Sequence, residues 1–563
     1  MELFFSRFII KSITVLLVLI LPLFGQVELS SSDLPIVLID TDGKDIRSDN
    51  IRIVADMDII YNGPDVRNSV ADSANNYSGK ISIEIRGQSS SGWDKKSYGL
   101  ETQDDEGENL NVSLIDLPAE NDWILHAPYF DRSLMRNVLI YELSREMGWF
   151  SSRTRYCELV INEEYKGIYV LMEKIKRDKN RVNIAKLNPD ETTGDELTGG
   201  YILRIDKESW NDGFVSPHPP FSGSSLRLKY QYVYPKPEDI ADEQKDYIKN
   251  FVLDFENLID SGDFTDPLNS YSQFINVSSF IDYLILNELS RNVDGYRLSA
   301  YFYKEKDSNG GLLHTGPVWD YNFSFGNAGY YNSWLIEGWQ IIYFTENSSF
   351  QRRDSFQPPF WWKVLFNDPA FSKQLNERWS QLRQTLLSKN SINDIIDFYA
   401  DKTDEARDRN FEIWPGPGET DLGGGWHPSD PRSSEINSYE DEINMLKSWI
   451  SDRIDWMDDN IPLLTSVMQS SNNGLPKNYI LKQNYPNPFN PATIIEYQIP
   501  KAGHVKINIY NRLGQKIKTL VDKWHTVGKY SAKFDGKNLA SGIYFYDMSA
   551  GDTRHTKEMI LIK

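Results

Sequence analysis

The chain has 563 residues and a formal net charge of −21, with 40% apolar and 13% aromatic residues. Such an acidic chain argues against nucleic acid as a partner, because phosphate binding needs a basic surface. Its single cysteine, Cys157, excludes an intrachain disulfide. The length predicts two to four domains at about 150 residues each.

The first 26 residues have the order of a secretory signal. Arg7 and Lys11 flank the start of an apolar run, Ile13 to Phe24, and small or polar residues follow from Gly25. The run is shorter than the about 20 residues that span a bilayer. We therefore expect a cleavable signal peptide over 1–26, with a membrane anchor as the alternative. No later segment approaches spanning length, so we expect no stable membrane span in the mature chain.

The stretch after the signal carries strand patterns. Ile81, Ile83 and Ile85 alternate with polar residues over 79–87, and this period of two is typical of a strand with one buried face. We expect a β-rich segment at 27–78 that packs on a larger body. Further strands are predicted at 34–40, 51–55, 156–161, 167–175, 201–205 and 298–303.

From about residue 206 the pattern becomes mainly helical, with apolar residues at helical spacing and charges on the remaining faces. A β-rich first half followed by a helix-rich second half predicts an α+β body over 79–464. A two-lobed arrangement is the natural form of such a body. One helix is predicted in the first half, at 134–147. The helices predicted in the second half cover 243–259, 277–291, 369–387 and 439–457.

The chain changes character after residue 464. Ser, Asn, Gly and Pro cluster over 465–482 and periodicity disappears, which predicts a linker. Short strands separated by turns fill 483–563. Strands at this spacing predict a small antiparallel β-sandwich of immunoglobulin-like type.

This last region resembles a known sorting domain. The motifs are Asn484-Tyr-Pro-Asn-Pro-Phe-Asn-Pro491, Tyr510-Asn-Arg-Leu-Gly514 and Leu539-Ala-Ser-Gly-Ile-Tyr544. They look like the C-terminal sorting domain of type IX secretion cargo. The resemblance implies that residues 483–563 engage the type IX secretion machinery and that the mature chain is secreted or attached to the outer cell surface. An ordinary carbohydrate-binding or spacer sandwich is the alternative.

Carboxylates are the main candidates for chemistry, because the body has no His-Glu-x-x-His, Gly-x-Ser-x-Gly or Walker motif. Asp294 follows an apolar helix, and Asp320 follows an apolar strand in an aromatic loop. Two such carboxylates can face one cleft, where one accepts a hydroxyl proton and the other holds Mg²⁺ on a polyphosphate. For either residue alone, a helix cap or a turn aspartate is the alternative.

Several segments of the body together resemble the CotH family of spore-coat-type atypical protein kinases. They are Ile83-Glu-Ile-Arg-Gly-Gln-Ser-Ser90 with Lys95-Lys-Ser-Tyr98, Arg136-Asn137, Gly167-Ile-Tyr-Val-Leu-Met-Glu173, Asn292-Val-Asp294, and Trp319-Asp320 ahead of Phe325-Gly326. The resemblance implies a kinase-like fold with a β-rich N-lobe and a helical C-lobe. It also implies transfer of a phosphoryl group from ATP, with Mg²⁺ or Mn²⁺, to Ser or Thr of an extracytoplasmic protein that the sequence does not identify.

The roles of this family carry over to matching positions. Asp294 matches the catalytic aspartate, which orients and deprotonates the acceptor hydroxyl. Asp320 matches the metal-binding aspartate, and Asn322 is a further candidate metal ligand. The stretch from Arg86 to Ser90 lies where a loop that covers the phosphates is expected.

Further nucleotide contacts are predicted around these positions. Lys95 or Lys96 is expected to pair with the phosphates, with a solvated strand end as the alternative. The strand that ends at Glu173 resembles the strand entering a kinase hinge, which places adenine near that residue. Trp319 and Tyr98 are candidates for stacking on adenine, with core packing as the alternative.

One position departs from the kinase pattern. Ordinary kinases have an Asn five residues after the catalytic Asp, where it binds the second metal; here that position is Ser299. One-metal chemistry, metal binding by Asn322 and reduced activity all remain open. The alternative function is a catalytically weak or inactive surface protein, an adhesin or a polysaccharide- or protein-binding module. The aromatic segments 330–339 and 414–426 would suit sugar stacking in such a protein.

Overall fold

The computed structural model describes residues 27–48, 51–207, 213–264, 270–417, 435–471, 478–501, 503–525, 528–551 and 553–563. The predicted signal at 1–26 and most of the aromatic segment 414–426 lie outside these residues. The chain divides into two compact units. The first runs to Phe360 and includes Gln384–Arg453, and the second comprises Trp361–Arg383 and the chain from Ile454 onward.

Seven strands of the first unit close into a barrel in the order β2-β3-β5-β6-β7-β9-β8. Its strand pairs are antiparallel except for the parallel pair β2–β8, which closes it. All seven strands contribute to one apolar core, in which Ile81 and Ile83 are fully buried. The strands are β1 (Ser31–Ser32), β2 (Ile36–Asp40), β3 (Ile53–Ile60), β4 (Asn68–Ser69), β5 (Tyr77–Arg86), β6 (Ser97–Gln103), β7 (Asp122–His126), β8 (Thr154–Ile161) and β9 (Glu164–Glu173).

A second, five-stranded antiparallel sheet of this unit has the order β11-β12-β10-β13-β14. Its central strand β10 leads directly into Asp206, and β13 begins just after Ser299. The strands are β10 (Tyr201–Ile205), β11 (Gly213–Val215), β12 (Lys229–Tyr234), β13 (Ala300–Lys304) and β14 (Leu313–Thr315).

Each of the five predicted helices is present, within a few residues at most ends. The last of them continues to Ser471 and so extends into the stretch predicted as a linker. In the described part of the chain, no helix is both long and apolar enough to cross a membrane. The helices are α1 (Arg136–Glu146), α2 (Gly194–Leu197), α3 (Asp242–Ser261), α4 (Val277–Ser290), α5 (Gln340–Glu346), α6 (Ser348–Arg353), α7 (Phe360–Phe366), α8 (Pro369–Arg383), α9 (Lys389–Lys402), α10 (Asp404–Ile413) and α11 (Tyr439–Ser471).

The C-terminal region is all β. Its two antiparallel sheets, β15-β16-β19 and β18-β17-β20-β21, share one apolar core. The sequence reasoning missed β18, an edge strand whose few buried side chains give no clear alternation. The strands are β15 (Ile480–Leu481), β16 (Ala492–Ile499), β17 (Gly503–Asn511), β18 (Lys516–His525), β19 (Gly528–Asp535), β20 (Gly542–Ala550) and β21 (Thr553–Leu561). The predicted α+β class is confirmed.

Candidate active site

A cavity of about 710 Å³ opens in the first unit, beside the barrel and the segments that follow β10, α4 and β14. Both predicted aspartates line it. Ser299, at the position expected for a second metal ligand, lines it as well. The predicted site residues that the cavity brings together are Arg86, Ser90, Asp294, Trp319, Asp320 and Asn322.

The end of helix α4 positions Asp294. The helix is buried along most of its length and stops at Arg291, whose φ of 47° is left-handed. In the following turn, the Asn292 side-chain oxygen accepts a hydrogen bond from the Asp294 N–H at 3.0 Å. The Arg297 guanidinium lies 3.1 Å from the Asp294 carboxylate and 3.1 Å from Asp354. Burial raises the pKa of Asp294, and Arg297 opposes that rise.

Asp320 sits on a strained turn beyond β14. Its φ of 63° is left-handed, a conformation that residues other than glycine adopt mainly where the surroundings impose it. Its backbone N–H donates to the Tyr141 hydroxyl at 3.2 Å. Among the described residues, none donates a hydrogen bond to its carboxylate. The carboxylate is thus held at the cavity wall with its oxygens available to a ligand.

Hydrogen bonds join the two aspartate segments. The Asn292 amide donates to the carbonyl of Asp320 at 3.5 Å, and the Tyr321 hydroxyl donates to the Asn287 side-chain oxygen at 2.9 Å. The chain at Gly295 passes so close to Asn287 that a Cβ there would lie 1.7 Å from the Asn287 oxygen. The relative position of the two carboxylates is therefore fixed by polar contacts on both segments.

Asn137 on helix α1 supports the other candidate ligand. Its Nδ2 donates to the Asn322 side-chain oxygen at 3.1 Å, and its Oδ1 accepts the N–H of Tyr321 at 2.5 Å. The same amide nitrogen lies 3.2 Å from Nε2 of His126. These contacts fix the Asn322 oxygen at the cavity wall and leave it one lone pair for a ligand.

The electrostatics of the cavity favour a cation beside Asp320. The pKa of Asp320 is raised to about 7, chiefly by burial and in addition by the carboxylates of Asp294 and Asp206, while the cations Arg86 and Lys207 oppose the rise. A carboxylate held in this way is stabilised by any additional positive charge. A bound metal ion would supply that charge.

The donor set fits Mg²⁺ or Mn²⁺. Asp320 offers carboxylate oxygens and Asn322 an amide oxygen, which are the hard ligands these ions prefer. Within the described residues, no group of three His, Cys, Asp or Glu side chains is placed to hold a metal. Mg²⁺ sites commonly combine one or two carboxylates with substrate phosphates and water. A two-ligand site of this kind is consistent with that pattern.

The structure corrects the role predicted for Lys95. The side chain is 1% exposed and does not reach the cavity. Its ammonium donates to the carbonyl of Ile168 and to the side-chain oxygen of Asn410, both at 2.7 Å, and lies 5.0 Å from the Tyr169 ring centroid. Burial lowers the pKa of Lys95 well below its usual value. Lys95 therefore links strand β9 to helix α10 and is not placed to pair with phosphates.

We expect Lys95→Met to destabilise the protein without affecting ATP binding. The substitution leaves the buried Ile168 carbonyl without this donor, which costs about 1–3 kcal/mol of unfolding free energy. Denaturant unfolding and calorimetric titration with ATP measure the two quantities. Lys80→Met, on the exposed face of β5, is the matched control. A fall in ATP affinity at unchanged stability would restore the phosphate role to Lys95.

Lys96 also has a structural role. Its ammonium donates to the carbonyl of Ser91 at 3.0 Å and to that of Trp93. These bonds close the 3₁₀ turn Ser90–Gly92, which continues the predicted phosphate-covering stretch Arg86–Ser90. The loop begins at Gly87, whose φ is 101° and where a Cβ would lie 1.9 Å from the Ser90 hydroxyl. Lys96 and Gly87 therefore shape the loop, and Ser90 lines the cavity.

The predicted adenine contact at Glu173 is not supported. The side chain is fully buried, and its carboxylate lies 2.8 Å from Arg153 and 3.1 Å from Arg181. Strand β9 pairs with β7 on one side and β8 on the other, which occupies its backbone groups. The neighbouring residues Met172 and Lys174 line the cavity instead.

Of the two aromatic residues proposed for adenine stacking, only Trp319 lines the cavity. Its ring stacks on Tyr141 at 6.1 Å between centroids, and the Arg86 guanidinium lies 5.7 Å from it. Tyr98 is buried and stacks on Tyr169 at 6.0 Å. Tyr98 is therefore a packing residue, as the alternative interpretation had it.

Among the charged residues of the cavity that sequence reasoning missed are Asp206 and Lys207. Both line it, immediately after the buried strand β10. The signal available in the sequence was an acidic and a basic residue directly after an apolar strand. Without the sheet order, that signal could not be connected to Asp294 and Asp320.

The aromatic segment 330–339 does not form an open platform in its first residues. Tyr330 and Tyr331 pack edge to face at 4.9 Å, and Tyr331 packs in the same way on Phe350 at 5.0 Å. Rings that pack against one another leave little free face for a sugar. This packing does not favour the sugar-stacking alternative.

Comparison with known proteins agrees with the geometry. The family model described as CotH kinase protein matches residues 83–457, and the one described as Secretion system C-terminal sorting domain matches 483–563. The Inner spore coat protein H of Bacillus subtilis (strain 168) is 22% identical over 202 residues, which are 36% of this chain and 49% of that protein. The match thus spans about half the length of this curated relative. The sorting domain indicates export to a secreted or cell-surface location. The chain belongs to the CotH kinase protein family and ends in a secretion-system sorting domain.

Proposed function

We propose that this protein is an exported kinase that transfers the terminal phosphoryl group of ATP to Ser or Thr of an extracytoplasmic protein. The observation that carries the proposal is the meeting of Asp294 and Asp320 in one cavity, together with Arg86 and Lys207. In this proposal the barrel corresponds to a β-rich N-lobe and the helical segments to a C-lobe. The type IX secretion machinery would engage residues 483–563.

Asp294 is the proposed catalytic base. Its side chain is 20% exposed, so that it can reach a hydroxyl in the cavity while Arg297 holds one carboxylate oxygen. Its raised pKa gives the carboxylate a higher proton affinity, which favours general-base chemistry. In the transfer step the acceptor oxygen bonds to the terminal phosphorus and the bond to the β-phosphate oxygen breaks. ADP leaves, and the hydroxyl proton passes to Asp294.

Asp320 and Asn322 are the proposed ligands of Mg²⁺ or Mn²⁺. When bound, such an ion neutralises charge on the polyphosphate. Arg86 adds a fixed positive charge at the same wall, where its guanidinium lies over Trp319. Ser90 and its loop border the cavity beside Arg86, so that this side is the expected place of the phosphates.

The test is ATP binding by the full exported chain with Mn²⁺. We expect ATP with Mn²⁺ to raise the melting temperature, because a ligand at 100 times its Kd adds about 2.7 kcal/mol of stability. The shift should disappear in EDTA and in Asp320→Ala. Absence of any shift in the wild-type protein would contradict the proposal and favour a catalytically inactive binding protein.

A further inference from the structure

We propose that Lys207 is the lysine that binds the polyphosphate of the nucleotide; unlike Lys95 and Lys96, it lines the cavity. This inference rests on the proposed function and assigns one of its contacts to a different element of the fold. Lys207 follows strand β10, whereas the two other lysines precede strand β6. The ligand class is a nucleoside triphosphate, recognised through its chain of phosphates.

Other basic side chains at the cavity are already engaged. Arg52 lies 3.1 Å from Glu84 and 3.5 Å from Glu101, and Lys174 lies 3.2 Å from Asp122. A cation in such a pair has part of its charge compensated before any phosphate arrives. The Lys and Arg residues that line the cavity, among those described, are Arg52, Arg86, Lys174, Arg204 and Lys207.

Arg86 and Lys207 differ from Arg52 and Lys174, and also from Arg204, which is already bound to Gln231. Within the described part of the chain, neither forms an ion pair with a carboxylate. Arg86 faces the Trp319 ring, and the Lys207 ammonium contacts the Ser89 hydroxyl. Both cations are thus held at the cavity by neutral groups. A polyphosphate can therefore pair with both cations without breaking an existing ion pair.

A buried amide holds the backbone of Lys207 in place. Gln231 on β12 is fully buried, and its Nε2 donates to the carbonyls of Lys207 at 2.8 Å and Asp206 at 3.3 Å. Its Oε1 accepts from Arg204 at 2.7 Å, and the Asp206 carboxylate accepts the Lys207 N–H at 2.9 Å. These hydrogen bonds fix the backbone conformation of the turn after β10. The Lys207 side chain therefore reaches the cavity from a rigid backbone position.

The charge of Lys207 acts on both aspartates. It opposes the rise in the pKa of Asp294 and also that of Asp320. Lys207 lines the same cavity as Asp294 and Asp320. The terminal phosphoryl group must lie in that cavity for transfer to a hydroxyl held by Asp294.

The contact between Lys207 and Ser89 leads to a second expectation about bound polyphosphate. Ser89 belongs to the loop from Gly87 to Gly92, which borders the cavity, and it is exposed. Its hydroxyl accepts a hydrogen bond from the Lys207 ammonium and so ties the loop to the turn after β10. Phosphate oxygens are stronger acceptors than a hydroxyl. We therefore expect bound polyphosphate to replace Ser89 as the partner of Lys207.

The experiment is calorimetric titration of the full exported chain with ATP and with AMP, each in the presence of Mn²⁺. Lys207→Met is expected to weaken ATP binding by about 10- to 100-fold, the effect of losing a charge-assisted hydrogen bond. AMP, which lacks the outer phosphates, should lose much less affinity. Lys207→Arg should retain most of the ATP affinity. Lys44→Met, in an exposed turn away from the cavity, is the control and should bind as the wild type does.

Ser89→Ala separates the two roles of the lysine. If Lys207 binds phosphate directly, this variant keeps the wild-type affinity for ATP or exceeds it. A loss equal to that of Lys207→Met would overturn the inference, because the lysine would then act through the loop. Undiminished ATP binding by Lys207→Met would overturn it as well and leave the proposed function standing. Absence of ATP binding by the wild type would overturn both. Lys207→Gln carries the same test if the Met variant melts early.

Discussion

Asp294→Asn is expected to lower the rate of phosphoryl transfer by about 10²- to 10⁴-fold, the usual contribution of a general base. ATP binding with Mn²⁺ should persist. The negative charge of Asp294 raises the pKa of Asp320, and its removal makes Asp320 easier to ionise. The turnover rate at saturating ATP measures the loss of phosphoryl transfer, and calorimetric titration measures whether ATP still binds.

The matched control for this variant is Asp254→Asn, an exposed aspartate on helix α3 that does not line the cavity. It should leave both turnover and ATP affinity unchanged. A parallel loss of ATP binding in Asp294→Asn would assign Asp294 to nucleotide or metal binding. Retention of turnover within about tenfold would remove Asp294 from the role of general base.

Asp320→Asn is expected to abolish metal-dependent activity and at the same time to stabilise the ligand-free protein. The pKa of Asp320 is raised to about 7 in the folded chain, against an ordinary value of 3.8. The folded protein therefore binds this proton more tightly than the unfolded chain does. Its stability falls as pH rises from about 4 to about 7, because the carboxyl must ionise in a buried place.

Asparagine has no charge to bury, so the gain in stability should grow over the same pH range. We expect Asp320→Asn to exceed the wild type by on the order of 1–2 kcal/mol in unfolding free energy at pH 8, with little difference near pH 4. Denaturant unfolding in EDTA at both pH values measures it. Equal unfolding free energies of Asp320→Asn and the wild type at pH 8 would show that burial does not make ionisation of Asp320 unfavourable. A gain in stability with retained activity would remove it from the metal site.

The two aspartates were predictable from sequence because each has a local signature. Asp294 follows an apolar helix that ends in a polar cluster, and Asp320 follows an apolar strand in an aromatic loop. The structure places both at one cavity through contacts that no local pattern encodes. Chief among them are the hydrogen bond from Asn292 to the carbonyl of Asp320 and the close passage of the chain at Gly295.

The surrounding cations were harder to predict. Lys95 or Lys96 was predicted to pair with the phosphates, but the Lys95 ammonium donates to Asn410 on a helix more than 300 residues away in sequence. Lys207 belongs to no recognisable sequence motif. Its position at the cavity depends on the pairing of β10 with β12 and β13. Burial and strand order decide which lysine meets the ligand.

The Glu173 side chain does not line the cavity for a topological reason, although its neighbours Met172 and Lys174 do. An isolated strand ending at Glu173 resembles the approach to a kinase hinge, where backbone groups remain free. Here strand β9 pairs with β7 on one side and with β8 on the other. Glu173, at its end, lies in a buried cluster with Arg153 and Arg181. The pairing of β9 with β7, which comes from an earlier part of the chain, gives no local signal in the sequence.

The central claim is that the cavity around Asp294 and Asp320 transfers phosphoryl groups. The most direct measurement is incorporation of label from [γ-³²P]ATP, with Mn²⁺, into a peptide library whose members contain Ser or Thr. Our account predicts labelled peptides with the wild-type chain and none above background with Asp294→Asn. Equal labelling by both proteins, or no labelling by a wild-type chain that binds ATP, would contradict it.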